Sequence, residues 1–325
     1  MADAAVGAGA GRRRRARTLA QQESRAGLAL LSPTLLVVLV VVVLPVLWTI
    51  ILAFQRLRTA RIRRGLFDLN FTLDNIHAVV TSNAFLESLR NTLLYSVLGT
   101  TLSIGLGLIA ALVVRSPFKG RTLVRASMLL PYIAPVVAVA FVWQVMLDPQ
   151  FGIVNAVGRD VLGWEEGIPF LTQRDGTIHL LGLTLKVPMA LSVVILYQAW
   201  RYFPFAFLFI LARLQALPKD VDEAARVDGA TISQRFRHVV LPQLRGVIAL
   251  LAVLRFIWTF NEFDDIYLLT GGGAGTGVVS VQVYNYLTAR GNVGASAALS
   301  LVMAVILCAL LLVYFRFFAS REGSE

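Results

Sequence analysis

The sequence is poor in the residues that most soluble chemistry uses. It has a single cysteine, Cys308, so no internal disulfide can form. Its three histidines, His77, His179 and His238, lie far apart, and no Cys/His cluster has metal-ligand spacing. Charged residues make up 15% of the chain, against about 25% in an ordinary soluble domain. No Ser/His/Asp set or paired-carboxylate arrangement stands out for catalysis; Asp264 and Asp265 are neighbours, and neighbours on a helix do not face each other. Nucleotide motifs are missing too. Gly105-Leu-Gly107 sits inside an apolar run without a following ribose-binding acid, and the Gly271–Gly277 cluster has no Lys-Ser/Thr, so it reads as a flexible loop.

What is abundant is apolar length. Hydrophobic residues make up 57% of the 325-residue chain, above the roughly 45–50% of soluble domains. A hydrocarbon core about 30 Å thick needs roughly 20 helical residues. Runs of that kind place six spans at about 28–54, 91–114, 126–146, 187–211, 246–266 and 294–316. The fold class is therefore an all-α polytopic membrane protein. Residues 1–27, with Arg12, Arg13, Arg14, Arg15, Arg17 and Arg25, read as a cytoplasmic tail rather than a cleavable signal, and 319–325 as a second tail.

The net charge of +11 fits topology better than nucleic acid, because Arg and Lys lie mostly between the spans rather than in a basic stripe. With both ends inside, cytoplasmic segments carry 18 basic residues and outer segments 10. Segment 55–90 opposes this assignment, with Arg56, Arg58, Arg61, Arg63 and Arg64 directly after the first span. Pro45, Pro131, Pro135, Pro188 and Pro204 fall in or beside spans and imply bent, packed helices. Two stripes of small residues, Gly99/Ser103/Gly107/Ala111 and Ser296/Ser300/Ala304/Cys308, allow close helix approach. Either stripe reads as packing within the chain or as contact with a second membrane subunit.

The longest cytoplasmic segment, about 215–242, reads as two short helices joined at a turn. Pro218 suits a first helical turn, and Asp220, Asp222 and Glu223 are acids where a helix N-terminus is positive. Val221, Ala224 and Ala225 share one small apolar face, and Asp228-Gly229 is a stop signal. Phe236, Val239 and Val240 begin a second face, and Pro242 marks the return to the membrane. Such a pair fits a groove on another protein or the lipid surface.

Glu223-Ala224-Ala225, three residues, Gly229, nine residues, Val239, one residue and Leu241-Pro242 resembles the coupling motif of ABC importer permeases. The sequence departs from that pattern in Val239, where Ile is usual. Asn91-Thr92, Gly120-Arg121 with Arg125, Leu130-Pro131, Phe263 and Ile266–Gly272 are similar to the carbohydrate-uptake branch, across about residues 28–318. The resemblance implies a type I permease fold in the bacterial inner membrane, paired with a second permease, two cytoplasmic ATPase subunits that hold ATP and Mg, and an external binding protein that delivers a sugar. It implies no cofactor on this chain. Glu223, Ala224, Ala225, Asp228, Gly229, Ala230, Phe236 and Pro242 would then dock the ATPase.

Ionisable residues within spans are costly and functional, which singles out Arg201, Arg255 and Glu262. They pair with one another or with a partner, or they line a hydrated cavity. Sugars need polar edges and flat aromatic faces. By position, the resemblance assigns the pathway to Tyr132, Gln198, Arg201, Tyr202, Phe205, Thr259, Asn261 and Glu262. The alternative is an ion-coupled secondary transporter, which predicts an internal repeat that the sequence does not display.

Overall fold

A computed structural model of the chain describes residues 19–61, 71–180, 183–217 and 219–317. The arginines Arg12–Arg17, Arg63 and Arg64, the residue Pro218 and the tail 319–325 lie outside the described residues, as do the side chains of Lys219–Asp222. The chain divides into two units, residues 1–51 and 52–325.

The described residues of the first unit are helical. α1 (Leu19–Val38) runs through a π-turn at Leu39–Val43 into α2 (Leu44–Ala53). Pro45 has no N–H and would strand the carbonyl four residues earlier; the wider turn, closed by Leu44 N–H donating to Leu39 O, takes up that mismatch. Thr49 Oγ1 donates to the Pro45 carbonyl at 2.9 Å.

In the second unit, α3 (Asp74–Val80) leads to α4 (Asn83–Val113), which begins at an N-cap where Ser82 accepts from Phe85 N–H. α4 is the central post. It packs along α9 (Met189–Gln215) and against α12 (Leu241–Phe260). The first small-residue stripe explains the closeness. A Cβ on Gly107 would lie 2.7 Å from Ala206 Cβ and 2.7 Å from the Phe207 nitrogen, while one on Gly99 would strike the Gln198 amide. That stripe is packing within the chain. Lipid tails are as apolar as leucine, so such close backbone approach is what holds helices together in a bilayer. The second stripe lies on α15 (Val293–Phe317). Ser296 is buried and donates to Val283 O on α14 (Val279–Thr288), whereas Ala304 and Cys308 are exposed on this chain.

Among the described residues, five helices are long and apolar enough to cross a membrane: Ala29–Ala53, Asn83–Val113, Met189–Gln215, Ile232–Phe260 and Val293–Arg316. The span expected at 126–146, where Pro131 and Pro135 implied bending, is a sharply bent pair. α5 (Arg121–Ser127) and α6 (Leu130–Ile133) meet α7 (Val136–Met146) at 96°. Pro135 is the cause: the residue before a proline is pushed to extended geometry, and Ala134 has ψ 143°.

The predominantly helical fold also carries two short strands. Beyond α8 (Ile153–Leu162), strands β1 (Asp175–Leu180) and β2 (Leu183–Pro188) form an antiparallel hairpin with Thr177 opposite Lys186. Its short alternating segments were hidden beside longer apolar runs. Nor is the glycine cluster a loose loop. Buried Asn91 donates to the carbonyls of Gly275 and Gly277 at 2.9 and 3.0 Å, and Thr92 Oγ1 accepts from Val279 N–H. Asn91 and Thr92 therefore sit well inside α4 and anchor 271–277, rather than opening a span.

The basic segment after the first span is partly accounted for. Arg56 bonds to Asp74 and holds that carboxyl below its ordinary value. Leu57 O accepts from Gly294 N–H, which ties the segment to the start of α15.

Candidate functional site: the end loop and the buried polar cluster

Two places concentrate the candidate residues, and one helix joins them. The first is the loop at one end of the bundle. α10 (Lys219–Val227) ends where Gly229 adopts φ +75°. Gly229 N–H donates to Arg226 O at 3.1 Å and Ala230 N–H to Ala225 O at 3.0 Å. That pair of bonds is a Schellman termination, which needs a left-handed residue and favours glycine. Two residues later α11 (Ile232–Arg235) starts at Thr231 with a reciprocal capping box: Gln234 N–H donates to Thr231 Oγ1, and Thr231 N–H to Gln234 Oε1. The Thr-x-x-Gln signal was present in the sequence and defines the second helix better than its apolar face does.

The expected second helix is not separate. α11 continues through a π-turn at Phe236–Val240 into α12, giving one helix from Ile232 to Phe260. Pro242 lies at the first turn of α12 within the continuous rod. At 29 residues and 1.5 Å each the rod is about 43 Å long. Glu223, Ala224, Asp228 and Gly229 are exposed, Ala225, Ala230 and Phe236 are half-buried, and Val227 (87%) and Ile232 (80%) present bare apolar side chains beside the turn.

The second place is a buried polar cluster where α9 meets the far end of that rod. The structure brings together Gln198, Arg201, Tyr202, Thr259 and Glu262, with Tyr132 and Phe205 as an aromatic wall. Tyr132 is 40% exposed and stands edge-on to Tyr202, with ring centroids 6.2 Å apart, and 6.1 Å from Phe205. Phe205 meets Trp258 at 5.1 Å. Tyr202 Oη donates to Glu262 Oε2 at 3.3 Å, and the Arg255 guanidinium lies 4.1 Å from the Tyr202 ring centroid.

Three expectations change here. Gln198 is fully buried and donates to Thr259 Oγ1 at 2.9 Å, so this pair locks helices rather than facing open space. Asn261 is not part of the cluster; its exposed side chain donates to the Ile257 carbonyl of its own helix. Arg255 does not bond to Glu262: it donates to Thr259 Oγ1 and lies against Tyr202.

The residue missed from sequence is Asp265, on α13 (Asp264–Thr270). It is fully buried, and its Oδ1 lies 3.7 Å from Arg201 Nε. Asp264 is exposed, as expected of a helical neighbour that points elsewhere. The only signal in sequence was an acid near a span end with an unmatched in-span arginine. No group of His, Cys, Asp and Glu among the described residues could hold a metal ion.

Comparison with known proteins places this architecture. Residues 103–321 match the family described as binding-protein-dependent transport system inner membrane component. The chain is 34% identical over 285 residues to the inner membrane ABC transporter permease protein YcjO of Escherichia coli (strain K12), covering 88% of this chain and 91% of that one. It is 31% identical over 300 residues to the trehalose/maltose transport system permease protein MalF of Thermococcus litoralis, covering 92% and 95%. A solved bacterial ABC transporter involved in import of the acidic polysaccharide alginate shares the fold, with TM-score 0.75 and 23% identity across 95% of this chain and 100% of that chain.

Proposed function

The chain belongs to the binding-protein-dependent transport system inner-membrane component family, and on that footing we propose that it is one membrane subunit of an ATP-driven, binding-protein-dependent sugar importer. One observation carries the reading. An exposed helix-turn at the bundle end, with Glu223-Ala224-Ala225 ahead of a left-handed Gly229, continues into a single rod that ends in the buried polar cluster. The loop lies on the cytoplasmic side with both chain ends. It seats in a cleft of an ATPase subunit, with Val227 and Ile232 covered on docking. ATP and Mg are held by the ATPase pair, and this chain has no hydrolytic role.

A second permease completes the pathway, and the exposed half of the α15 stripe, Ala304 and Cys308, is available to helices of other subunits or to lipid. An external binding protein delivers the sugar to the opposite face. The aromatic wall of Tyr132, Tyr202 and Phe205 offers ring faces to sugar C–H surfaces. The charges behind it are balanced, two arginines against Asp265 and Glu262. This suits an uncharged disaccharide or short oligosaccharide better than a phosphate ester, which would have to compete with those carboxylates for the guanidiniums.

Affinity purification of the tagged chain from native membranes tests the reading. An ATPase and a second permease should accompany it in fixed ratio, and liposomes holding this chain alone should take up no sugar. Uptake by the isolated chain driven by an ion gradient would favour the secondary-transporter alternative.

A further inference from the structure

The importer reading leaves one buried group without a task. Arg255 is 2% exposed, so it does not reach the surface of the chain. A guanidinium within a membrane span is expensive unless something holds it, and here its partners are specific. Its face lies 4.1 Å from the centroid of the Tyr202 ring, and Nη2 donates at 3.2 Å to Thr259 Oγ1, the same oxygen that accepts from Gln198. Tyr202 and Gln198 both belong to α9, whereas Arg255 and Thr259 both belong to the rod that starts beside the coupling loop. The rod therefore grips α9 at two points one helical turn apart, and one of these is the Tyr202 ring, which stands at 70° to the ring of the exposed Tyr132.

We infer that Arg255 is a positioning residue that ties the cargo-facing ring of Tyr202 to the rod rising from the coupling loop. Displacement at the loop moves the rod; Arg255 and Thr259 move with it and carry Tyr202 and Gln198. Glu262, just beyond the rod, accepts from the Tyr202 hydroxyl and fixes the ring's other end. The inference rests on the importer reading and adds a route from ATPase to cargo wall. Lysine can keep a charge over the ring, though with poorer fit than arginine's flat fork; methionine fills the space without the charge.

The test uses the whole importer in nanodiscs with its binding protein loaded from a panel of trehalose, maltose and maltotriose. The sugar that stimulates ATP hydrolysis most in the unsubstituted complex serves as the probe. Arg255→Met should lower the maximal stimulated rate about tenfold, while the loaded-binding-protein concentration for half-maximal effect stays within about twofold. ATPase subunits should co-purify in an unchanged ratio. Arg255→Lys should recover about half of the rate, and in a Tyr202→Leu background Arg255→Met should add less than about twofold, because the two act as one unit. Full stimulation in Arg255→Met, loss of the ATPase subunits, absence of rescue by lysine, or multiplicative effects with Tyr202→Leu would overturn the inference. If no sugar stimulates the unsubstituted complex, the importer reading fails, and the inference falls with it.

Discussion

Glu223→Lys lowers sugar uptake by about 100-fold and strips the ATPase subunits from the purified complex. The size follows from chemistry at a docked interface: removing one partner of a buried charge pair costs about 2–5 kcal/mol, and each 1.4 kcal/mol is about tenfold in binding. Reversal of the charge adds repulsion, so the effect falls in the upper part of that range. Glu223 is exposed on the permease itself. Exposed substitutions of this kind change stability by about 0.5 kcal/mol or less, so the melting temperature of the isolated subunit stays unchanged. Gly229→Val produces the same uncoupling by a different route. A Cβ at Gly229 meets no atom within 4 Å, so the cost is conformational: φ +75° is a genuine outlier for a β-branched residue. Relief of that strain swings the loop out of register with its socket. The pair is measured by pull-down of the ATPase subunits and by uptake into proteoliposomes. Retention of both activities in Glu223→Lys would sink the docking assignment.

Asp265→Ala has the second large effect, and it acts on the fold. The carboxylate lies 3.7 Å from Arg201 Nε, and no hydrogen-bond donor among the described residues reaches either of its oxygens. Its contribution is therefore the compensation of a buried cation. Removing one member of a buried ion pair costs about 3–5 kcal/mol, whereas replacing both by apolar side chains is often neutral. Asp265→Ala should lower the melting temperature and folded yield of the detergent-solubilised subunit sharply. The double substitution Arg201→Met with Asp265→Leu should recover most of the loss. Equal melting of Asp265→Ala and the unsubstituted chain, or a double variant worse than the single one, would show that the two groups do not form a compensating pair.

These two sites differ in how far sequence alone could reveal them. The helix end at Gly229 was legible because its determinants are local. A left-handed glycine, small alanines and an acid at fixed spacing define a helix end within a dozen residues, and the structure adds the Thr231–Gln234 capping box to the same signal. Tyr132, Tyr202, Phe205, Thr259 and Glu262, which the resemblance assigns to the pathway, lie near one another in the fold. The ion pair of Arg201 was not legible, because Asp265 arrives from a separate short helix after the rod breaks at Asn261–Phe263. No spacing rule links two groups on different helices. Asn261 was misplaced for the same reason: beside Glu262 in sequence, it points back along its own helix. The hairpin at 175–188 illustrates the other limit, since hydropathy counts apolar length and passes over short alternating segments; at Ala134–Pro135 the proline signalled a bend but not its 96° size.

The most direct measurement of the central claim is a cross-link. On a Cys308→Ser background, which removes the sole native thiol, Val227→Cys places a thiol at the most exposed apolar position beside the turn. In the assembled importer a short bifunctional maleimide should join this position to an ATPase subunit, and a membrane-impermeant maleimide added outside intact cells should leave it unlabelled. Labelling from outside, with no ATPase adduct in the assembled complex, would contradict the account.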